Sequence, residues 1–329
     1  MEKCTKQLTL LGLDIGGTKT ALSEGTAQAE TLQRVEILTE AWRPFDEVFP
    51  QIKRAAQRLM TQAAEQGREI IAVSVSVGGP LRIGEGVLLD PPHLPGWQGI
   101  RLKDRLQEAF APLPIFIEHD GNAGALAEFH FGAGQGRADL RHLIFLTFGT
   151  GLGAGLIING QVLHGATDTA GEVGHLRLAW EGPVGFGKVG SWEGLASGQA
   201  LVDLAALHFP ERWNAATPIR DVVNAMLADD LQALVIARAA GKWMGRGMAL
   251  LVDTLNPQMI VLGSLAVVLG ERVLGPARQT LAEEALPQAV AACEIVPAKL
   301  GSRIGDVAAL MAALANDDVR QRLGQGSPT

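Results

Sequence analysis

The stretch Leu10–Leu22, LLGLDIGGTKTAL, decides how the fold is read. An apolar run ends in Asp14, passes through Gly16, Gly17, Thr18 and Lys19, and turns apolar again. The flanks QLTLLGLD and KTALSEG read as two strands joined by a turn nearly stripped of side chains. Glycines let backbone N–H groups crowd around an anion without Cβ clashes, and Thr18 adds a hydroxyl donor. A carboxylate beside a phosphate is repulsive unless a cation such as Mg²⁺ lies between them, held directly or through water.

A second turn of the same kind, GTGLGAG at 149–155, carries Thr150, Gly151 and Gly153 between the apolar runs HLIFLTF and AGLIINGQVLHG. Either turn alone also suits an ordinary hairpin. Two of them, each feeding a strand and lying in separate halves of the chain, argue for phosphate. Other nucleotide motifs are excluded. Gly12 and Gly17 have the spacing of a P-loop, but Thr18 stands where the lysine is required. A dinucleotide fingerprint needs a helix after its glycines, and here strands follow.

Working outward, Phe45, Val48, Phe49, Ile52, Ala56, Leu59 and Ala63 recur at helical spacing, with Pro50 inside the pattern and Gly67 at its end. IIAVSVSV (70–77) reads as a strand that breaks at Gly78, Gly79 and Pro80. A short helix is expected over Leu102–Phe110. The strand PIFIEHD follows and ends in Asp120, then the helix NAGALAEFHF. Asn159-Gly160 signals a tight hairpin. From Ala196 the pattern is mostly helical, with the longest helix from about Asp230 to Leu255. The strands MIVLG and EIVPAKL and an alanine-rich helix from about Ile304 close the chain. Strands and helices alternate in both halves, which predicts an α/β protein of two lobes.

The 329 residues are 47% hydrophobic and 19% charged, enough for large cores and unlike disorder. A net charge of −7 without a basic run argues against nonspecific nucleic-acid binding. Cys4 and Cys293, the only cysteines, give no disulfide framework and fit a reducing, cytoplasmic setting. No signal peptide is visible. The longest uncharged stretch, between Arg141 and Asp168, is too broken by glycines and by Asn159-Gly160 to read as a membrane span.

Several polar side chains sit in glycine-rich surroundings. Asp120, between a strand and a helix, taken alone suits a helix cap first, and a helix N-terminus also suits a base that takes a hydroxyl proton. AGEVGHLRL holds Glu172 and His175, and GSWEGLASG holds Glu193. Convergent carboxylates and imidazole match the vicinal hydroxyls of a sugar.

Together these segments resemble the ROK family of sugar kinases and regulators, within the actin/hexokinase-like (ribonuclease H-like) ATPase fold. LDIGGTK is similar to the family's first phosphate motif, LPGWQGIRLKDRL to its sugar-domain loop and helix, and EHDGNAGALAE to its E-N-D-x-N-A block. TFGTGLGAGLIINGQVLHG resembles the second phosphate motif, AGEVGH and GSWEGLASG two sugar-site segments, and LNPQMIVLGS the adenosine-side strand and turn. The likeness runs through nearly the whole chain in order. It implies a smaller lobe of residues 1–119 and 301–329 with the first phosphate turn. The larger lobe, 120–300, would hold the second turn, the sugar loops and the adenosine-side segment.

Residue by residue, the resemblance implies Asp120 as general base, and His119, Glu172, His175, Glu193, Gly79 and His93 on the sugar side. Asp14, Gly16, Gly17, Thr18 and Lys19 would serve phosphate and Mg²⁺, with Thr150, Gly151 and Gly153 at the other phosphate turn and Gly263 near adenosine. Three departures stand out. His119 and His93 replace asparagines of the family pattern, which bears on the choice of sugar. Val184, Phe186 and Ser191 stand where many members have zinc-binding cysteines, so no structural zinc is expected although His175 remains. Ser264 replaces a frequent glycine.

The implied activity is ATP- and Mg²⁺-dependent phosphorylation of a hexose or N-acetylhexosamine hydroxyl, O6 by family habit, in a homodimer with no membrane or nucleic-acid partner. The competing reading is a catalytically silent sugar-binding or regulatory relative. The family's repressors place a helix-turn-helix ahead of this part. Only about nine residues precede the first strand here, too few for that motif.

Overall fold

In the computed structural model, which describes residues 6–324, the quoted stretch is a hairpin. β1 (Gln7–Ile15) pairs antiparallel with β2 (Lys19–Gly25), Asp14 opposite Ala21. Cys4 lies outside the described residues.

β2 pairs with β3 (Thr31–Leu38), an edge strand where the sequence pattern goes directly to a helix. Its signal is the alternation of Val35 and Ile37 with the exposed Arg34 and Glu36. α1 (Phe45–Glu65) starts where the apolar periodicity starts and tolerates Pro50 near its first turn. It ends before Gly67, whose φ of +74° a side chain would strain.

β4 (Arg68–Val77) runs parallel to β1 and is buried along nearly its whole length, as a central parallel strand must be. A small hairpin, β5 (Leu81–Arg82) with β6 (Val87–Leu88), and α2 (Leu102–Phe110) lead to β7 (Ile115–His119), parallel to β4. α3 (Asp120–Phe131) begins at the tip of β7. The sheet order is β3-β2-β1-β4-β7.

The second sheet repeats this plan. β8 (Leu143–Phe148) and β9 (Leu152–Ile158) form its first hairpin, and β10 (Gln161–Val162) follows after Asn159 and Gly160. Both turn residues have positive φ, +55° and +79°, as a type I′ hairpin turn demands. A small hairpin, β11 (Val184–Gly185) with β12 (Lys188–Val189), precedes α4 (Trp192–Ala196), α5 (Gly198–His208) and α6 (Ile219–Leu227).

α7 (Leu231–Leu255) is capped by Asp230, whose Oδ1 accepts from Ala233 N–H at 3.0 Å. β13 (Met259–Leu262), α8 (Leu265–Leu269), α9 (Glu271–Glu284), α10 (Pro287–Ala291) and β14 (Glu294–Pro297) complete the set. The order β10-β9-β8-β13-β14 matches the first sheet strand for strand, with antiparallel neighbours on one side of β8 and parallel ones on the other. Each glycine turn therefore joins the first two strands of its own sheet. α11 (Ile304–Leu314) and α12 (Asp317–Arg322) end the described chain, α11 against β1 and β4.

The chain forms two compact units. Unit 1 comprises residues up to Ala127, His164–Thr169 and the chain from Ser302; unit 2 comprises Glu128–Leu163 and Ala170–Gly301. The first turn of α3 bonds back to β7, Asn122 Nδ2 donating to Glu118 Oε1 at 2.9 Å. Each unit has its own core. Phe45, Ile52, Leu59 and Trp97 pack against β1 and β4 in unit 1. In unit 2 the core gathers β8, α5, α7 and α9. Among the described residues no helix is long and apolar enough to cross a membrane.

Glycines on α7 set the unit 2 packing. A Cβ at Gly241 would stand 2.6 Å from the Val273 carbonyl of α9, and one at Gly247 would overlap the fully buried Trp192 indole. Gly247→Ala is expected to destabilise the protein by about 1–3 kcal/mol through overpacking. Urea denaturation measures it, and an unchanged midpoint would contradict this packing.

Candidate active site

The parallel strands of unit 1 end side by side. Asp14 pairs in register with Ser76, and Ser76 with Glu118, so the tips of β1, β4 and β7 form one row. Ligands in open α/β sheets collect at such carboxyl ends. Asp14, Gly78, Gly79, His119 and Asp120 all lie on this row or just past it.

Asp14 is half-buried. Burial first, then the charges of Asp120 and Asp306, push its carboxyl up to about 7, while a hydrogen bond with Ser76 and the Arg34 charge pull the other way. α11 approaches so closely that a Cβ on Gly305 would stand 2.6 Å from Asp14 Oδ2. Asp306 in the first turn of α11 is held by Arg34 of β3, Nε to Oδ1 2.9 Å. Arg34 and Lys19 both donate to Glu36, at 2.8 and 3.1 Å. Lys19, read from the sequence as a phosphate ligand, is thus engaged in an exposed ion pair, a weak tie that an anion can displace.

Asp120 opens α3 with its side chain half exposed. Its Oδ1 accepts the Gly121 N–H at 2.7 Å, and the same N–H reaches His119 Nδ1 at 3.2 Å. Of the two glycines beside it only Gly79 is crowded: a Cβ there would stand 2.5 Å from the His119 ring, whereas one at Gly78 would make ordinary contact with Asp120 Oδ2 at 3.6 Å. His93 lies beside the first glycine turn. Its backbone carbonyl packs on Gly17, where any Cβ would collide with it. The loop around His93 is also stitched to the first turn through the 39–43 segment, Ala41 N–H to Gly17 O at 3.2 Å and Gly96 N–H to Ala41 O at 3.0 Å.

In unit 2, the second turn is docked on α5: Gly198 N–H donates to Gly149 O at 2.7 Å and Gln199 N–H to Thr150 O at 3.1 Å. Gly153 N–H donates to Thr147 Oγ1 at 2.8 Å. Glu193 reaches under this turn, where its Oε2 accepts the Leu152 N–H at 2.9 Å and leaves no room for a Cβ on Gly151. It links α4 to the second glycine turn, a contact the sequence does not reveal.

Glu172 and His175 flank a helical turn packed on the start of β9, with the His175 ring edge-on to Phe186, centroids 5.7 Å apart. Ser191 caps α4 and donates to Gly185 O at 2.8 Å. Gly263 closes β13, its N–H on Leu146 O at 2.9 Å. The next residue, Ser264, has φ +40°, a geometry that favours glycine.

Asp14 and Asp120 therefore fall in unit 1, and Glu172, His175 and Glu193 in unit 2. Asp306, Gly305, Arg34 and Ser76 are additions that no sequence motif marks. Among the described residues no group of three or more His, Cys, Asp or Glu is arranged to hold a metal ion. Mg²⁺ needs no such cage, since one or two carboxylates, water and substrate phosphates suffice. A carboxyl crowded by two others, as Asp14 is, fits that partial donor set.

Two units with the same strand order, each with a glycine turn between its first two strands, define an actin/hexokinase-like ATPase fold. The chain belongs to the ROK family, whose model matches residues 10–317. A glucokinase of Halalkalibacterium halodurans is 29% identical over 90% of this chain and 92% of its own. The ROK hexokinase structure from Thermus thermophilus superimposes with a TM-score of 0.78 at 32% identity, covering 94% of this chain and 99% of that one. A ROK glucokinase from Streptomyces griseus, solved with glucose and AMPPNP, gives 0.74 at 29% identity over 92% and 97% of the two chains.

Proposed function

We propose that the protein is an ATP-dependent sugar kinase that transfers the γ-phosphoryl group to a hydroxyl, O6, of a hexose or N-acetylhexosamine. The observation that carries this reading is the single row formed by Asp14, His119 and Asp120 at the strand tips of unit 1. The kinship with glucokinases agrees with it. Glucose is the first sugar to test.

Asp120 accepts the proton of the attacking hydroxyl. The sugar oxygen then bonds to the γ-phosphorus as the bond to the ADP oxygen breaks. The Asp120 carboxylate is half exposed, and while Oδ1 accepts the Gly121 N–H its Oδ2 lies near Gly78. Thr18, Thr150 and the glycine backbones around them supply N–H and hydroxyl donors for phosphate oxygens. Asp14 would hold Mg²⁺, which when bound would supply charge neutralisation for the phosphates. Glu172 and His175 bind sugar hydroxyls. Glu193 keeps the second turn in shape through Leu152. The protein works in the cytoplasm as a homodimer.

An ADP-release screen across aldohexoses, ketohexoses and N-acetylhexosamines tests the reading. No sugar-dependent release with any of them would favour a binding or regulatory protein. His119, in place of an asparagine amide, presents its donor and acceptor nitrogens at a different reach from the amide's. His119→Asn is expected to change the ranking of sugars by kcat/KM by about tenfold, one or two hydrogen bonds' worth. An unchanged ranking would remove His119 from the sugar site.

A further inference from the structure

Beneath Asp120 lies a polar group that the chemistry above does not use. Glu118, on β7, is only 7% exposed. Its Oε1 accepts two donors, the His119 backbone N–H and Asn122 Nδ2, each at 2.9 Å. These donors flank Asp120 in the chain, one just before it and one two residues beyond. The other oxygen, Oε2, is bonded to His164 Nε2 at 2.9 Å.

His164 begins the six-residue segment His164–Thr169, which joins unit 1 although the chain on both sides of it belongs to unit 2. The segment is anchored at its far end too, where Asp168 Oδ2 accepts the Ile83 N–H at 2.9 Å. A buried carboxylate with both oxygens engaged has little freedom, and the backbone bracketed by it has little more.

We propose that Glu118 and His164 are positioning residues: a clamp that fixes the β7–α3 turn and so aims the Asp120 carboxylate at the sugar hydroxyl. The inference rests on the kinase reading. Neither residue needs to touch substrate. Glu118 holds the turn from below, and His164 holds Glu118.

The clamp depends on pH through His164. The groups that face it are Glu118 and Asp168, and the hydrogen bond to Glu118 raises its pKa above the ordinary value, against the effect of burial. A raised histidine keeps its proton to higher pH and loses it as pH rises through the raised value. The charge-assisted form of the clamp is therefore present below that value and lost on the alkaline side. His164→Gln keeps a neutral donor and imitates the alkaline form.

The experiment measures kcat by ADP release and sugar affinity by calorimetry, with glucose or whichever sugar leads the screen, for wild type, Asp120→Asn, Glu118→Ala, Glu118→Gln and His164→Gln. Expected are a fall in kcat of at least tenfold in Glu118→Ala with sugar Kd moved less than threefold, partial recovery in Glu118→Gln, and a wild-type to His164→Gln kcat ratio larger at pH 7 than at pH 9.5. A smaller fall in folded Glu118→Ala, an equal loss of kcat and sugar affinity, or a ratio independent of pH overturns the clamp. If Glu118→Ala does not fold, the His164→Gln ratio decides alone. A wild type without turnover, or an Asp120→Asn that keeps it, instead defeats the kinase reading beneath the clamp.

Discussion

Asp120→Asn is expected to lower kcat by about 10²–10⁴-fold, the range for loss of a positioned general base, while sugar affinity changes less than threefold. The amide keeps the size of the carboxylate and its Oδ1 can still accept the Gly121 N–H, so the turn at the start of α3 is retained. What it loses is the ability to take a proton. Sugar affinity, measured by calorimetry without nucleotide, separates this loss from a collapsed site. Truncation to alanine would blur the two effects by releasing Gly121 N–H as well. Turnover within tenfold of wild type would remove Asp120 from the reaction and leave the attacking hydroxyl without a base on this row.

Much of the fold is legible in the sequence because local chemistry determines it. Asn159-Gly160 takes the positive φ pair that only a few residue types accept. Asp230 caps α7 where an aspartate before an apolar run is expected, and α2 spans the residues its periodicity marks. β3 escapes such a reading because it is an edge strand, only half apolar, between two stronger signals. With it goes Arg34, and the tie to Asp306.

Other long-range contacts, in the site and outside it, are illegible for a different reason. His164 meets Glu118 across 46 positions, and Lys299 and Leu300 send their N–H groups to Glu128 across 171 and 172. No local pattern encodes such pairs. The contact of His93 with Gly17 is made mainly by backbone, which no side-chain pattern encodes. Glu193 sits in a segment that resembles a sugar motif, and one of its oxygens also accepts the Leu152 N–H of the second glycine turn. Motif spacing singles out segments but cannot say which atom faces which.

Asp14→Asn is expected to abolish sugar-dependent ADP release and, at the same time, to make the ligand-free protein harder to unfold at pH 8. The second effect follows from the crowding at the tip of β1. Burial, Asp120 and Asp306 lift the Asp14 carboxyl to about 7 from an ordinary 3.8. Between those values the folded protein holds a proton that the unfolded chain has released, so stability falls as pH rises through that window. Every tenfold weakening of the acid corresponds to about 1.4 kcal/mol, and the strain of ionising Asp14 in the folded state reaches on the order of 4 kcal/mol above pH 7. An amide carries no charge and escapes this cost, so the variant should be about 2–4 kcal/mol more stable at pH 8, with the advantage vanishing near pH 4. Urea denaturation at the two pH values measures it. Mg²⁺ with ATP should narrow the gap by stabilising the wild type, since a ligand that binds only the native state adds its binding free energy to folding. A site kept unstable when empty and relieved by a cation is the arrangement expected of a residue retained for binding rather than for folding. An Asp14→Asn protein that unfolds more easily than wild type at pH 8, or that turns over within tenfold of it, would show that Asp14 serves the fold instead.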